Sequence, residues 1–217
     1  MTEHKRDKMI VRYTTSQRIN HWVIAISFVL LALSGLALFH PSLFWLTNLF
    51  GGGPWTRILH PFIGVVLFVC FFAFAARMLH HNSFDRSDAA WMRHFKDVLN
   101  AHDERIPEVG RYNAGQKILF FALVLLVLGL MVTGVVIWRE YFSAFFPIWA
   151  IRLASVLHAV FALLMICAII VHVYAGIWVK GSIKAMTRGT VTRAWAWKHH
   201  RSWFREEMGE RPNRTTK

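Results

Sequence analysis

Four long apolar runs constrain this chain more than any other feature of its sequence. A helix needs ~20 apolar residues to cross a hydrocarbon core. Of the 217 residues, 55% are hydrophobic and 17% charged, whereas an ordinary soluble domain has about 25% charged residues. We therefore predict an all-α membrane protein, a bundle of four transmembrane helices. The runs are Trp22–Phe39, Ile58–Ala76, Ile118–Trp138 and Leu153–Val179.

The runs define one predicted integral-membrane domain over residues 1–217. Its transmembrane helices are expected at about 20–40, 57–80, 115–139 and 150–180, with a tail at 181–217. The first run is expected to be retained, because no small-x-small cleavage site separates it from "HPSLFW". We found no internal repeat and no domain boundary.

The basic residues predict how the chain is oriented. Of the 25 Lys and Arg, 22 lie in the N-terminal segment, the loop between runs two and three, and the tail; only Arg57, Arg139 and Arg152 lie in the other two connections. The positive-inside rule then places both termini in the cytoplasm, and a bacterial inner membrane fits best. The net charge of +13 is explained by topology and by affinity for membrane lipid, not by nucleic-acid binding.

Two polar segments are expected to form short interfacial helices on the cytoplasmic side. The first is "SDAAWMRHFKDVLNAH", with Ser87 or Asp88 as N-cap and apolar residues at helical spacing. The second is "TRAWAWKHHRSWFREEM" in the tail. Cys70 and Cys167 lie in mid-run without a CxxC pair, so we expect buried thiols and no iron–sulfur cluster.

The twelve histidines separate by depth. His40, His80 and His81 lie at the ends of runs, and five others lie in polar segments, where solvated or interfacial imidazoles suffice: His4, His94, His102, His199 and His200. Four remain within the spans, where an imidazole is costly unless something binds it. These are His21, His60, His158 and His172.

Helix geometry sorts these four histidines into two pairs. His158 and His172 are 14 residues apart, hence about 21 Å apart along the axis and within roughly 40° of one face. The first run enters from the cytoplasm, so His21 is level with His172. The second run enters from outside, so His60 is level with His158. Each pair thus draws its members from two helices, as cofactor sites in bundles do.

Paired neutral imidazoles without a carboxylate suit the axial positions of a haem iron. Zinc usually takes four ligands per site, and only two are available here. The residues one turn after the four histidines are small, which leaves room for a porphyrin: Ala25, Gly64, Ala162 and Gly176. Two other interpretations stay open: imidazoles that only satisfy backbone carbonyls, and a proton relay in a His-relay membrane transporter.

Two b haems at two depths predict electron transfer across the membrane. The chain has no cluster, nucleotide or flavin motif, so the donor must be a partner subunit and the acceptor is expected to be a quinone. The segment "GRYNAGQK", residues 110–117, offers Asn113, Gln116 and backbone amides to a quinone carbonyl. The same letters also suit a turn followed by a helix start.

Five segments resemble the b-type cytochrome gamma subunit of respiratory formate dehydrogenases, over about residues 9 to 205. They are "RINHWVIAISFVLLALSG", "RILHPFIG", "VGRYNAGQK", "VTGVVIW" and "VKGSIKAMTRGTVTRAWAWKHH". The resemblance implies a four-helix, two-haem anchor that takes electrons from an iron–sulfur beta subunit and passes them to menaquinone or ubiquinone. A molybdopterin alpha subunit would oxidise formate, so this chain would be the quinone-reducing electron-transfer subunit of the respiratory complex and not its formate-oxidising part.

The resemblance also implies roles for single residues. His60 and His158 would hold the outer haem, His21 and His172 the cytoplasmic one, and Asn113, Gly115 and His172 would form the quinone site. The complex could be one heterotrimer or a higher oligomer of it. The related alternative is the cytochrome b of a membrane-bound nickel–iron hydrogenase or of a thiosulfate-reductase-type complex.

Overall fold

The computed structural model describes residues 9–99 and 107–209, so His4 and His102 lie outside the described residues. The chain divides into two compact units. The helix unit comprises Ile19–Ala76 and Ala122–Tyr174, and the terminal unit comprises Met1–Arg18, Arg77–Phe121 and Ala175–Lys217. A single domain over 1–217 stays a prediction.

The described residues contain two short strands and nine α-helices. In chain order they are β1 (Met9–Val11), α1 (Thr15–Phe39), α2 (Gly53–Met78), α3 (Arg86–Arg93), α4 (Phe95–Leu99), α5 (Ala114–Ile137), α6 (Ile148–Trp178), α7 (Ser182–Arg188), β2 (Thr190–Thr192), α8 (Arg193–His199) and α9 (Arg201–Glu207). The described residues also contain three 3-10 segments between these elements: Pro41–Phe50, Leu79–His81 and Ser143–Phe145.

The four predicted membrane helices are confirmed as α1, α2, α5 and α6. Each is long and apolar enough to cross a membrane. On α6, Val156, Leu163 and Ile170 recur every seven residues and are each 62% exposed. A face of exposed branched aliphatic side chains is stable against lipid and not against water. Cys167, which was predicted to be buried, is also exposed on α6, where an apolar thiol has no need of a protein core.

Turn chemistry in the sequence ends the first helix of the helix unit. Pro41 has no backbone N–H and restricts the residue before it, so α1 stops at Phe39. His40 caps the following 3-10 segment, because its Nδ1 accepts the Ser42 N–H at 3.2 Å. Gly51 and Gly52 close this connection with φ of 85° and 98°, a backbone conformation that glycine adopts without strain.

The interfacial segments do form short helices, although the N-cap of α3 differs from the predicted one. Asp85, not Ser87 or Asp88, is the N-cap, and its side chain accepts the Ser87 and Asp88 N–H groups. The Asp88 carboxylate accepts the Asp85 N–H in turn, and the two contacts form a capping box. An acidic residue at N3 thus serves the cap and is not the cap itself. Lipid contact by α3, α4, α8 and α9 stays a prediction.

A buried ion pair joins α3 to the start of α5 in the terminal unit. Lys117 Nζ donates to Asp88 Oδ2 at 2.7 Å and to the Ser83 carbonyl oxygen at 2.9 Å. Both side chains of the pair are 6% exposed. Breaking a buried pair leaves an uncompensated charge and costs about 3–5 kcal/mol, so this contact fixes where α5 begins.

The two short strands β1 and β2 form an antiparallel pair that the sequence did not reveal. β1 pairs antiparallel with β2 in the register Met9↔Thr192, Ile10↔Val191 and Val11↔Thr190. Ile10 and Val191 then contribute to a small core with Ala185, Ala196 and Trp203. Three residues on each side are too few for a recognisable strand pattern, and the partners lie about 180 residues apart in sequence.

Two arginines lie beside this core, of which Arg12 is buried and Arg111 is partly exposed. The Arg12 guanidinium donates to the Arg111 carbonyl oxygen, and Arg111 donates back to that of Arg12. Arg12 also lies over the Trp203 ring, 4.3 Å from its centroid, a cation–π contact that strengthens when water is excluded. Together they connect the N-terminal strand, the loop before α5 and the C-terminal helix.

His200 corrects the expectation of a solvated or interfacial imidazole, because it is only 3% exposed. Its Nδ1 lies 2.9 Å from the Gly110 carbonyl oxygen, and its Nε2 lies 3.4 Å from Arg12 Nη2. Burial, together with the positive charge of Arg12, lowers the pKa of His200 to about 3. The ring is therefore neutral in the folded chain at neutral pH.

This burial predicts a pH-dependent stability. The unfolded chain protonates His200 near 6.5 and the folded chain only near 3, so the unfolded state binds more protons between these values. We expect the free energy of unfolding to fall by up to about 1.4 kcal/mol per pH unit below 6.5 and to be pH-independent above it, as far as this group contributes. The measurement is urea unfolding in detergent micelles, followed by tryptophan fluorescence, from pH 5 to 8.

The variant His200→Gln should lose this part of the slope. His94→Gln removes a partly exposed imidazole from the same unit and should keep the parent slope. Identical slopes in the parent and in His200→Gln would contradict the assignment.

Candidate functional site

The helix unit brings its four span histidines together as two pairs. The His60 and His158 ring centroids are 6.3 Å apart, and those of His21 and His172 are also 6.3 Å apart. Each pair takes one member from α6. A ring from α2 meets His158, and a ring from α1 meets His172, so two sites lie at two levels of α6, about 21 Å apart by helix rise.

The ring separation matches two imidazoles on opposite sides of one iron. A ligating nitrogen lies about 2 Å from its metal and about 1.1 Å from its own ring centroid, which gives a centroid separation of about 6.2 Å. Within the described residues no group of three or more His, Cys, Asp and Glu side chains could hold a metal ion. Two-nitrogen axial ligation by a haem therefore suits these residues, whereas a tetrahedral zinc site does not.

Hydroxyl groups hold both rings of the first pair. Ser34 Oγ lies 2.8 Å from His60 Nδ1, and Thr133 Oγ1 lies 2.9 Å from His158 Nδ1. Both contacts occupy Nδ1, so the Nε2 atoms remain for a ligand. Ligating histidines usually have such a partner on the other ring nitrogen.

A glycine follows each of these hydroxyl residues and lets an imidazole approach the helix. A Cβ atom added at Gly35 would lie 3.4 Å from His60 Cε1, and one at Gly134 would lie 3.4 Å from His158 Cε1. Any larger side chain would occupy the space of the ring. The sequence signal was a hydroxyl–glycine dipeptide in mid-span, Ser34–Gly35 and Thr133–Gly134, and sequence reasoning missed it.

The second pair has a different surrounding. The His21 ring packs edge-on against Trp22 and Phe74, with ring centroids 5.7 Å and 6.5 Å apart, respectively. Its Nδ1 is buried and has no hydrogen-bond partner in the described part of the chain. His172 is exposed on α6. His21 therefore contacts aromatic rings, whereas both rings of the first pair contact a hydroxyl group.

The loop proposed for quinone binding starts α5. Asn113 is its N-cap: Asn113 Oδ1 accepts the Gln116 N–H at 2.9 Å, and Gln116 Oε1 accepts the Asn113 N–H at 3.0 Å. This reciprocal cap does not use the Nδ2 donors of Asn113, which stay available to a carbonyl group of a ligand. A Cβ atom at Gly115 would lie 3.1 Å from the Trp91 ring, so this glycine also serves helix packing.

The predicted quinone residues are divided between the two units. Asn113 and Gly115 belong to the terminal unit and His172 to the helix unit. Neither unit by itself contains the whole set, and its role in quinone binding stays a prediction. The alternative of a turn followed by a helix start describes the backbone at Asn113 correctly.

Comparison with known proteins identifies the family of this haem-suited bundle. A sequence model of the prokaryotic cytochrome b561 family matches residues 12–189. The chain belongs to the prokaryotic cytochrome b561 family. Membership implies haem b, and the two imidazole pairs of this cytochrome are the described residues that fit it.

Curated relatives of this cytochrome are named as subunits of formate dehydrogenases. The chain is 44% identical over 201 residues to the cytochrome b556(Fdn) subunit of the nitrate-inducible formate dehydrogenase of Escherichia coli K12, covering 93% of each chain. It is 46% identical over 202 residues to the cytochrome b556(fdo) subunit of the same strain, covering 93% of this chain and 95% of the relative. It is 39% identical over 206 residues to the formate dehydrogenase cytochrome b556 subunit of Haemophilus influenzae, covering 95% and 87%.

The close approach at Gly134 predicts a selective loss of cofactor from this cytochrome. We expect Gly134→Val to reduce haem b to about half, because a valine side chain would displace the His158 ring, whose Cε1 lies only 3.4 Å from the Cβ position. The pyridine haemochrome spectrum measures this. Val132→Leu, on the same helix at a side chain that is 55% exposed, should keep the parent content, and an equal loss in both variants would contradict the steric explanation.

Proposed function

We propose that this chain is the membrane cytochrome b subunit of a formate dehydrogenase, which carries electrons from an iron–sulfur beta subunit to a quinone. The proposal rests mainly on the two imidazole pairs, which lie at two levels of α6. In each pair the two ring centroids are 6.3 Å apart. The assignment to a formate dehydrogenase comes from the names of the relatives, which are all subunits of formate dehydrogenases. A molybdopterin alpha subunit oxidises formate, and this chain performs no formate chemistry.

Four histidines hold the cofactors in this proposal. His60 and His158 would hold the outer haem b, and their Nε2 atoms are the ring nitrogens left without a hydroxyl contact. His21 and His172 would hold the cytoplasmic haem b. When bound, the two haems supply one-electron carriers at two depths of the bilayer. The protein holds the imidazole rings on its helices and excludes water with its apolar spans. Both pairs consist of histidines, so they bring no negative charge to the iron.

The acceptor is menaquinone or ubiquinone, bound on the cytoplasmic side. Asn113 Nδ2 donates to a quinone carbonyl, Gly115 leaves its backbone accessible, and His172 marks the end of the electron path. The Lys117–Asp88 ion pair keeps this loop in place, because Lys117 lies one turn after Asn113 and donates to Asp88 at 2.7 Å.

This direction of transfer separates charge without a proton pump. Electrons enter on the outer face, and the quinone takes its protons from the cytoplasm. The membrane potential opposes a full crossing by ~2.3 kcal/mol per electron per 100 mV, and the redox gap between donor and quinone must supply this work. The location is the bacterial inner membrane with both termini in the cytoplasm, as the asymmetry of Lys and Arg supports. The unit in the membrane is one heterotrimer or an oligomer of it.

Haem content of the detergent-purified chain tests the cofactor part of the proposal. We expect about two haem b per polypeptide by the pyridine haemochrome spectrum, and about one in His21→Ala and in His60→Ala, because each variant removes one ligand of one pair. His40→Ala changes a histidine that caps a 3-10 segment and should retain two. A value near zero in correctly inserted protein would contradict the proposal and favour the His-relay transporter.

The variant His172→Ala tests the order of electron transfer in the assembled complex. We expect quinone reduction by formate to be lost, while the haem at His60 and His158 is still reduced by formate, because only the cytoplasmic end of the path is damaged. Stopped-flow absorbance and quinol formation measure the two steps. His94→Ala should leave both unchanged, and normal quinone reduction in His172→Ala would show that the order proposed here is wrong.

A further inference from the structure

The two hydroxyl contacts of the first imidazole pair share a second feature. Ser34 Oγ is 2.7 Å from the Leu30 carbonyl oxygen, and Thr133 Oγ1 is 2.7 Å from the Gly129 carbonyl oxygen. Both carbonyls lie one turn earlier on the same helix as the hydroxyl. Each hydroxyl therefore lies between a backbone acceptor and an imidazole nitrogen.

A hydroxyl has a single hydrogen and can donate only once. The carbonyl oxygens have no hydrogen, so Ser34 and Thr133 must donate to them. Their oxygens then accept from the imidazoles, which means that His60 and His158 carry their hydrogen on Nδ1. Their Nε2 atoms keep a free lone pair, as a metal ligand requires.

The second pair lacks this arrangement at His21. The Nδ1 atom of His21 is buried and has no partner in the described residues, although His21 lies on α1, the helix that also carries Ser34. The two sites therefore differ in the hydrogen bonding of a ligand and not in the type of ligand.

We propose that Ser34 and Thr133 are positioning residues that fix His60 and His158 as Nδ1–H imidazoles and give the haem at this pair a lower midpoint potential than the haem at His21 and His172. The inference rests on the proposed function, because it needs a haem at each pair. A ligand that donates its N–H to an acceptor becomes more basic. A more basic axial ligand stabilises the more positively charged ferric iron, which lowers the potential.

This difference sets a direction within the chain. Electrons move spontaneously from the haem of lower potential to the one of higher potential, hence from the His60 level toward the His172 level. The hydroxyls thus favour transfer against the opposing membrane potential, although neither touches a reacting atom.

Redox titration of the two haems by absorbance in the purified complex tests the proposal. The parent should show two one-electron components, and His21→Ala should retain the lower one. We expect Ser34→Ala and Thr133→Val to raise only the lower component, with about a tenfold larger ratio of reduced to oxidised haem at a fixed potential, equivalent to about 59 mV for one electron. The conservative variants Ser34→Thr and Thr133→Ser should keep the parent potential.

Thr56→Val is a matched control. Thr56 is fully buried, and its hydroxyl donates to the Gly52 carbonyl oxygen at 2.9 Å, so it has the backbone contact of Thr133 without an imidazole contact among the described residues. We expect unchanged potentials. Equal shifts of both components, a shift of the upper one only, or a shift in Thr56→Val as large as in Thr133→Val would overturn the proposal.

Two outcomes separate this inference from the function on which it rests. A parent without haem contradicts the proposed function itself. A parent with two haems whose potentials are unchanged in Ser34→Ala and in Thr133→Val contradicts only the inference. Ser34→Cys keeps a side chain of similar size but offers sulfur, a weaker acceptor. If Ser34→Ala and Thr133→Val lose the outer haem and Ser34→Cys keeps the parent potential, the hydroxyls act through folding alone. That result would also overturn the inference.

Discussion

An imidazole inside a hydrocarbon layer is costly unless both of its ring nitrogens have partners. The first imidazole pair of the helix unit meets this constraint. His60 and His158 have hydroxyl partners for Nδ1 at 2.8 and 2.9 Å, and the remaining nitrogen of each suits an iron. The glycines beside the hydroxyls exist because a ring must come that close to a neighbouring helix.

The terminal unit answers a different constraint, that of holding distant parts of the chain together without a large apolar core. It uses charges for this purpose. Arg12 and Arg111 exchange hydrogen bonds with each other's carbonyl oxygens, and Lys117 is buried against Asp88 at 2.7 Å. Such contacts are directional, so they specify where the strand, the loop and the start of α5 lie more sharply than apolar contacts would.

Much of the fold could be predicted, because hydropathy over ~20 residues is a strong signal. The spans and their order followed from it, the short helix of the loop followed from the helical spacing of its apolar residues, and depth alone paired His60 with His158. The N-cap was predicted two or three residues too late, at Ser87 or Asp88, since Asp85, Ser87 and Asp88 are all good capping residues and only the backbone geometry decides among them. The burial of His200 was missed because its neighbours in sequence are polar, whereas its neighbours in space are Arg12, Trp203 and the Gly110 carbonyl oxygen.

Length, hydropathy and helix rise are local properties, so four membrane spans and four histidines suited to haem can be predicted from the amino-acid sequence. Which atoms meet depends on the fold: Ser34 and Thr133 lie at the Nδ1 atoms of two rings, His21 has no such partner among the described residues, and β1 pairs with β2. These contacts join residues 25 to about 180 positions apart. No local pattern encodes them, since they depend on how the rotation of one helix presents a single hydroxyl to the next.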